Sequence, residues 1–328
     1  MGKQRIAFDI GESSVKMVHV SGKEIKNTVA AELPDNMVEN GRILSPDAMA
    51  DFLRVNAKEN NLPKAEAAVI LPASLMFVRS VTVPLMNVQQ LDFNLPYEFK
   101  DYLREEKSKY LFDYAVNEIL HDEGEESGSM RIFACAVLKE TVEEYRMMFK
   151  RAGFKLKLAI PEECAYTNLV RSAEQTNRKD CCIADIGQHA TRLYLFHNGE
   201  YSAKRNIEIG MKELDHIIAD RYQVDIHMVH AYKESNYNHV LTEGDALALY
   251  NRLAVEMTKA VNFFNYNNRE AELQDIYLCG GGAQIKPLVN VIEEVTHMRV
   301  HAAEELMPKQ AGSNPNLFLR GYGLAIGE

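Results

Sequence analysis

Hydrophobic and polar positions alternate with a period of two along residues 5–24, RIAFDIGESSVKMVHVSGKE, and again along residues 181–200, CCIADIGQHATRLYLFHNGE. Each stretch predicts a strand ending in Asp-Ile-Gly, a short polar turn, and a second strand that stops at a Gly turn. With Asp9 set on Asp185, Gly11 falls on Gly187, Val15 on Thr191 and Lys16 on Arg192. One Asp-x-Gly is chiefly a turn device. Two copies in matching strand contexts instead predict two related half-domains, each offering backbone N–H groups and one carboxylate at the same kind of turn. That arrangement suits a phosphate and its metal ion held between two lobes.

The remaining pattern builds a lobe around each hairpin. Val29–Leu33 reads as a third strand, Ser45-Pro46-Asp47 as the cap and first turn of a helix running to about Asn60, and Ala67–Leu71 as a short buried strand. From about Ser74 the pattern changes. Phe77–Val83 is a strand ended by Pro84, and Gln89–Lys107 has helical periodicity, interrupted by Pro96, which either kinks the helix or starts it. Leu111–Leu120 and Met130–Leu138 are strands flanking an acidic loop, and Glu140–Ala152 is a helix closed by Gly153. This is a small α+β subdomain set into the first lobe. Lys155–Ile160 returns to a strand, and Pro161 opens a helix leading to the second lobe.

In that lobe, Glu213–Tyr222, His227–Lys233 and Glu243–Asn267 are helices, the last with Leu247, Leu249, Leu253, Val255 and Val261 mostly buried. Asp275–Cys279 is a strand, Lys286–Thr296 a helix, and Phe318–Ile326 a small-residue helix. The expected division is residues 1–178, with the insert at about 75–155, and residues 179–328, with a helical subdomain at about 211–272.

Composition narrows the function. The 328 residues carry a net charge of −10, which argues against a nucleic-acid partner and against direct adsorption to an anionic membrane. The five cysteines show no metal-ligand spacing and read as reduced thiols of a cytosolic protein. No apolar run has the length of a spanning helix, and no signal-peptide core precedes the first strand. Between Asp92 and Glu126 there are 11 acidic and four basic residues, read as a solvated helix face and a loop tip.

Gly280-Gly281-Gly282-Ala283 follows a short strand and precedes a helix. Three successive glycines lose much backbone entropy on folding, so a close backbone approach to a nucleotide explains them better than a plain turn. Neither GxGxxG nor a Walker pattern occurs, so Rossmann and P-loop readings fall away.

DIGESSVK, ADIGQHATRL and YLCGGGA, in this order, resemble the two phosphate motifs and the adenosine motif of the actin-like ATPase superfamily. IPEECAYTNL and FLRGYGLAIG are similar to its two connect motifs. LPASLMFVRSVTVP, YEFKDYL, KYLFDYAV and IEIGMKELDHIIADRYQVDIHMVHAYK resemble the PilM-type type IV pilus assembly family within the FtsA-like branch. The resemblance implies an α/β, actin-like (ribonuclease H-like) two-lobe fold with an inserted α+β subdomain. A chain ending just after the second connect motif lacks the amphipathic tail of FtsA-type division proteins, which favours the pilus branch.

ATP and Mg²⁺ are the implied ligands. By resemblance Asp9, Gly11, Ser13, Ser14 and Lys16 serve phosphate and metal from the first lobe, and Asp185, Gly187, Thr191 and Gly210 from the second. Gly280, Gly281 and Gly282 face the adenosine, Lys233 lies near the adenine, and Asp9 and Asp185 hold Mg²⁺, directly or through water. Glu162 corresponds to the acidic residue that positions the attacking water; a first-turn carboxylate on the helix dipole explains it equally. Glu12, Gln188-His189, Met211 and His230 depart from the superfamily pattern and point to binding with weak or absent hydrolysis.

The implied partner is the cytoplasmic N-terminal tail of a PilN-like inner-membrane protein, held in a groove between the insert and the first lobe, with the membrane reached only through that partner. ATP between the lobes would set their closure, and closure the groove. Whether the chain forms a homo-oligomer stays open. The alternatives are a small-molecule kinase of the same fold and an FtsA-like division protein.

Overall fold

Each Asp-Ile-Gly hairpin lies at the middle of its own five-stranded sheet. A computed structural model describes residues 4–121, 128–173, 180–268, 271–308 and 314–327. The acidic loop tip and the boundary expected at 178 fall outside these residues. The chain divides into two compact units, Met1–Asn168 with Arg320–Glu328, and Leu169–Leu319.

In the first unit, β1 (Gln4–Ile10) pairs antiparallel with β2 (Ser14–Ser21), and β2 with β3 (Glu24–Glu32). A small ribbon of β4 (Val38–Glu39) and β5 (Arg42–Ile43) precedes α1 (Pro46–Glu59). Ser45 caps that helix by accepting from the N–H of Ala48, 3.3 Å away, as its sequence predicts. Strand β6 (Glu66–Ile70) then lies parallel to β1.

The insert follows as β7 (Met76–Pro84), α2 (Val88–Glu98), β8 (Tyr110–His121) and β9 (Gly128–Leu138), with sheet order β7-β9-β8. Leu91, Leu95 and Phe99 pack on Ile132, Ala134 and Ala136 as a separate small core. Helix α2 is shorter than its periodicity suggests. Pro96 leaves the Asp92 carbonyl without its helical donor, and the helix ends two residues later at Glu98. Leu103 therefore lies beyond it.

Helix α3 (Lys139–Ala152) ends at Gly153, whose φ of 91° is the left-handed cap read from the sequence. Rather than covering the insert, it packs on the main sheet, with Phe8 edge-on to Phe149 and Phe154 at centroid distances of 5.0 and 5.1 Å. β10 (Lys155–Ile160) completes the order β10-β6-β1-β2-β3. Helix α4 (Glu162–Ser172) begins in this unit and runs into the second.

The second unit repeats the plan with β11 (Cys181–Ile186), β12 (Thr191–His197) and β13 (Glu200–Ile207). Helices α5 (Met211–Tyr222), α6 (Val229–Ser235) and α7 (Gly244–Asn267) precede β14 (Asp275–Cys279), α8 (Lys286–Thr296) and β15 (Arg299–Ala302). Its sheet order is β15-β14-β11-β12-β13, the counterpart of the first. Strands β11 and β14 are buried on both faces, the condition that produces their unbroken apolar runs. On α7, Leu249, Leu253 and Val261 are buried as expected, but Val255 is exposed because it falls on the opposite side of the helix from Leu253. The last helix, α9 (Leu319–Ile326), returns to the first unit from Arg320 onward.

Candidate functional site

The two hairpins share register as well as pattern. Asp9 stands opposite Lys16 and Ile10 opposite Val15; Asp185 stands opposite Arg192 and Ile186 opposite Thr191. Gly11 donates its N–H to the Ser14 carbonyl at 3.0 Å, and Gly187 to the Ala190 carbonyl at 3.1 Å. Both turns are therefore closed by the same bond. Glu12 and Ser13 in the first turn, and Gln188 and His189 in the second, are exposed, while Ser14 is half-buried.

In the first unit, the Lys16 ammonium lies 3.9 Å from the position a Cβ on Gly11 would take, so it sits over the turn. Asp9 has another partner. Arg320 on α9 donates Nη2 to its Oδ1 at 3.1 Å and Nε to its Oδ2 at 3.2 Å, a two-pronged pairing. The third arm of the same guanidinium, Nη1, donates to Glu162 Oε2 at 3.2 Å. Two carboxylates read from the sequence as a metal ligand and a water-positioning group are thus joined by one cation.

Arg320 is held in place from several directions. A Cβ on Gly321 would meet Val18 Cγ2 at 2.7 Å, so only glycine lets α9 lie this close to β2. Asn168 donates to the Gly323 carbonyl at 3.0 Å, and Tyr322 donates its hydroxyl to the Lys23 carbonyl at 3.0 Å. Buried Arg5 donates to the carbonyls of Ala325 and Gly327, satisfying the end of the helix.

In the second unit the glycine run packs on the second turn. Gly280 has φ of 80°, and a Cβ there would approach Asp185 Oδ1 and the Ile186 carbonyl oxygen to 2.6 Å. A Cβ on Gly282 would meet Ile186 Cγ2 at 2.2 Å, whereas one on Gly281 would meet nothing within 4 Å. Asp185, Gly280 and Gly282 therefore share one corner, with exposed Gly281 at its surface.

The remaining residues of this corner are committed to its architecture. Gly210, the residue before α5, lies against the turn: a Cβ there would meet the Gln188 carbonyl oxygen at 2.5 Å. Thr191 is fully buried and donates its hydroxyl to the Ile209 carbonyl at 2.9 Å. The first N–H groups of α5, on Met211 and Lys212, donate to Gly187 and Gln188 carbonyls at 3.0 and 2.8 Å, so they anchor the turn. Lys233 pairs with Asp215 on α5, whose other oxygen accepts from Gln188 Nε2 at 2.7 Å. That chain ties Lys233 to the phosphate turn. Neither Arg320 nor Asp215 stands out in the sequence. For Arg320 the available signal is one cation in an otherwise small and apolar helix, FLRGYGLAIG.

The duplicated sheet, its paired turns and the insert define an actin-like fold. The chain belongs to the type IV pilus assembly protein PilM family, whose model matches residues 7–315. Among solved structures, the PilM-PilN type IV pilus biogenesis complex is similar with a TM-score of 0.78 and 21% identity, covering 98% of this chain and 97% of that one. The ethanolamine utilization protein EutJ from Carboxydothermus hydrogenoformans is similar with a TM-score of 0.62 and 13% identity, over 100% of this chain and 91% of that one.

Mg²⁺ fits the two expected carboxylates unequally. Both oxygens of Asp9 are taken by a guanidinium, so a divalent ion does not fit there without displacing Arg320. Asp185 remains a candidate ligand. Among the described residues, no group of three or more His, Cys, Asp or Glu is placed to hold a metal, and any ion at Asp185 would depend on phosphate and water for its other ligands.

Proposed function

We propose that this type IV pilus assembly protein is an ATP-binding scaffold that holds the cytoplasmic N-terminal tail of a PilN-like inner-membrane protein. The observation that carries the nucleotide half is the shared geometry of the two turns, one overlain by Lys16 and the other packed by Gly280 and Gly282. Each turn supplies backbone N–H groups for phosphate, and the exposed edge at Gly281 admits a flat base or ribose without a side chain in the way. Glu162, engaged by Arg320, is poorly placed to orient water, which favours binding over turnover.

The partner half rests on the family and on the insert. A pocket lined by Arg42, Ile43 and Pro46 from the main body and by Leu75, Thr141, Tyr145 and Met148 lies in the first unit, where the chain passes between main sheet and insert. Strand β8, also in the first unit, is an edge strand with Leu111, Val116, Ile119 and Leu120 exposed. An extended apolar tail suits such an edge. No helix among the described residues is long and apolar enough to cross a membrane; in this reading the membrane is reached through the partner.

Two assays on the full chain test this reading. Isothermal titration with ATP should give one saturable site, and a peptide copying the tail of a PilN-like protein should be retained. Rapid phosphoryl transfer to a sugar panel would instead establish a kinase. Absence of both bindings would remove the scaffold reading.

A further inference from the structure

We infer that Arg320 takes the place of a divalent cation at Asp9, so that the first unit binds nucleotide phosphate through Lys16 and the Gly11 turn without a metal ion there. This rests on the ATP-binding reading above and specifies how the first unit does it.

Asp9 and Lys16 are cross-strand partners on one face of the β1–β2 ladder. Opposite charges so placed would ordinarily pair with each other. A guanidinium competes better for a carboxylate than an ammonium does, because its planar fork matches both oxygens while an ammonium acts as a point charge. Arg320 has that match, and Asp9 is only 5% exposed. Lys16 is left over the turn, and among the described residues it makes no ion pair. It is therefore available to an incoming anion.

Charge balance points the same way. Asp9 and Glu162 carry two negative charges beside the first turn, and Arg320 with Lys16 supplies two positive ones. Arg320 thus offsets carboxylate charge that would otherwise disfavour a phosphate at the first turn. The remaining carboxylate of the turn, Glu12, is exposed and screened by solvent. Helix α9 fixes the arginine through Arg5, Gly321 and Asn168, so the cation is part of the fold rather than a surface side chain that happened to fall there.

The test uses Mn²⁺ alone as the first probe, followed by labelled ATP with or without EDTA. Electron paramagnetic resonance should show no tightly held Mn²⁺ in the unmodified protein. Arg320→Met should take up one Mn²⁺, and the double variant with Asp9→Asn should lose it. The loss of ATP affinity between Mg²⁺ and EDTA should be at least tenfold larger for Arg320→Met than for the unmodified protein. If Arg320→Met does not fold, Arg320→Gln is read in the same two measurements, and the Mn²⁺ titration of the unmodified protein decides on its own. Stoichiometric Mn²⁺ binding by the unmodified protein, or an equal loss of ATP affinity in EDTA for the unmodified protein and Arg320→Met, overturns the inference. Failure of ATP to bind under any condition removes the ATP-binding reading, while the Mn²⁺ measurement still decides whether Arg320 excludes a cation from Asp9.

Discussion

Arg320 and Asp9, 311 positions apart in the chain, form a two-pronged ion pair at 3.1 and 3.2 Å. The carboxylate is nearly buried and the guanidinium is 22% exposed. Removing one member of such a pair leaves the other charge unpaired inside the protein, which costs about 3–5 kcal/mol for fully buried cases. With Arg320 partly exposed, Arg320→Met should destabilise the first unit by about 2–3 kcal/mol in chemical denaturation. Arg320→Lys should recover only part of this, since an ammonium cannot serve Asp9 bidentately and reach Glu162 as well. A loss below about 0.5 kcal/mol, typical of surface changes, would show that the pair does not hold the helix.

The glycine run separates into two classes. Gly280→Ala meets Asp185 and a left-handed backbone, and Gly282→Ala meets Ile186, so both should destabilise the second unit by at least about 1–3 kcal/mol. Gly281→Ala meets nothing and should leave stability within about 0.5 kcal/mol. Thermal unfolding distinguishes the three. Equal effects at all three positions would contradict the packing described.

Much of this was legible in the sequence because the signals are local. The repeat of Asp-Ile-Gly between alternating strands, the Ser45 cap and the Gly153 stop each act within a few residues, and each is found where its pattern puts it. What escaped is non-local or short. Arg320 has no neighbour in sequence that explains it, since Asp9 and Glu162 reach it from other elements of the fold. Strand β15 has four residues, too few to display a period. Helical periodicity extends to Lys107 because Leu91, Leu95, Phe99 and Leu103 follow at four-residue steps, but Leu103 packs on the insert core from the irregular segment beyond the helix.

Asp215 offers a test of positioning at a distance from the turn. It accepts from both Lys233 and Gln188, so it fixes the second turn relative to α6 without belonging to either. Asp215→Ala should weaken ATP binding about tenfold, equivalent to ~1.4 kcal/mol, and Lys233→Met in that background should add little. Fully additive losses would show that the two residues act independently.

Acid sensitivity should centre partly on Asp275. Burial pushes its carboxyl upward, but hydrogen bonds from Arg299 at 2.7 and 2.9 Å and from His301 at 2.7 Å outweigh this and hold it below the ordinary range. A carboxyl depressed by folding contributes stability above its unfolded value of about 3.9, and that contribution is lost as pH falls through the folded value. Asp275→Asn should therefore flatten the loss of stability below about pH 5, measured by urea denaturation across pH. An unchanged acid limb would assign the sensitivity elsewhere.

Nucleotide binding by the duplicated turns is measured most directly by equilibrium titration of ATP into the full chain and its Lys16→Ala variant. One saturable site in the parent, weakened at least tenfold by Lys16→Ala with unfolding unchanged, is the predicted result. No saturable binding by the parent, or equal binding by the variant, would contradict it.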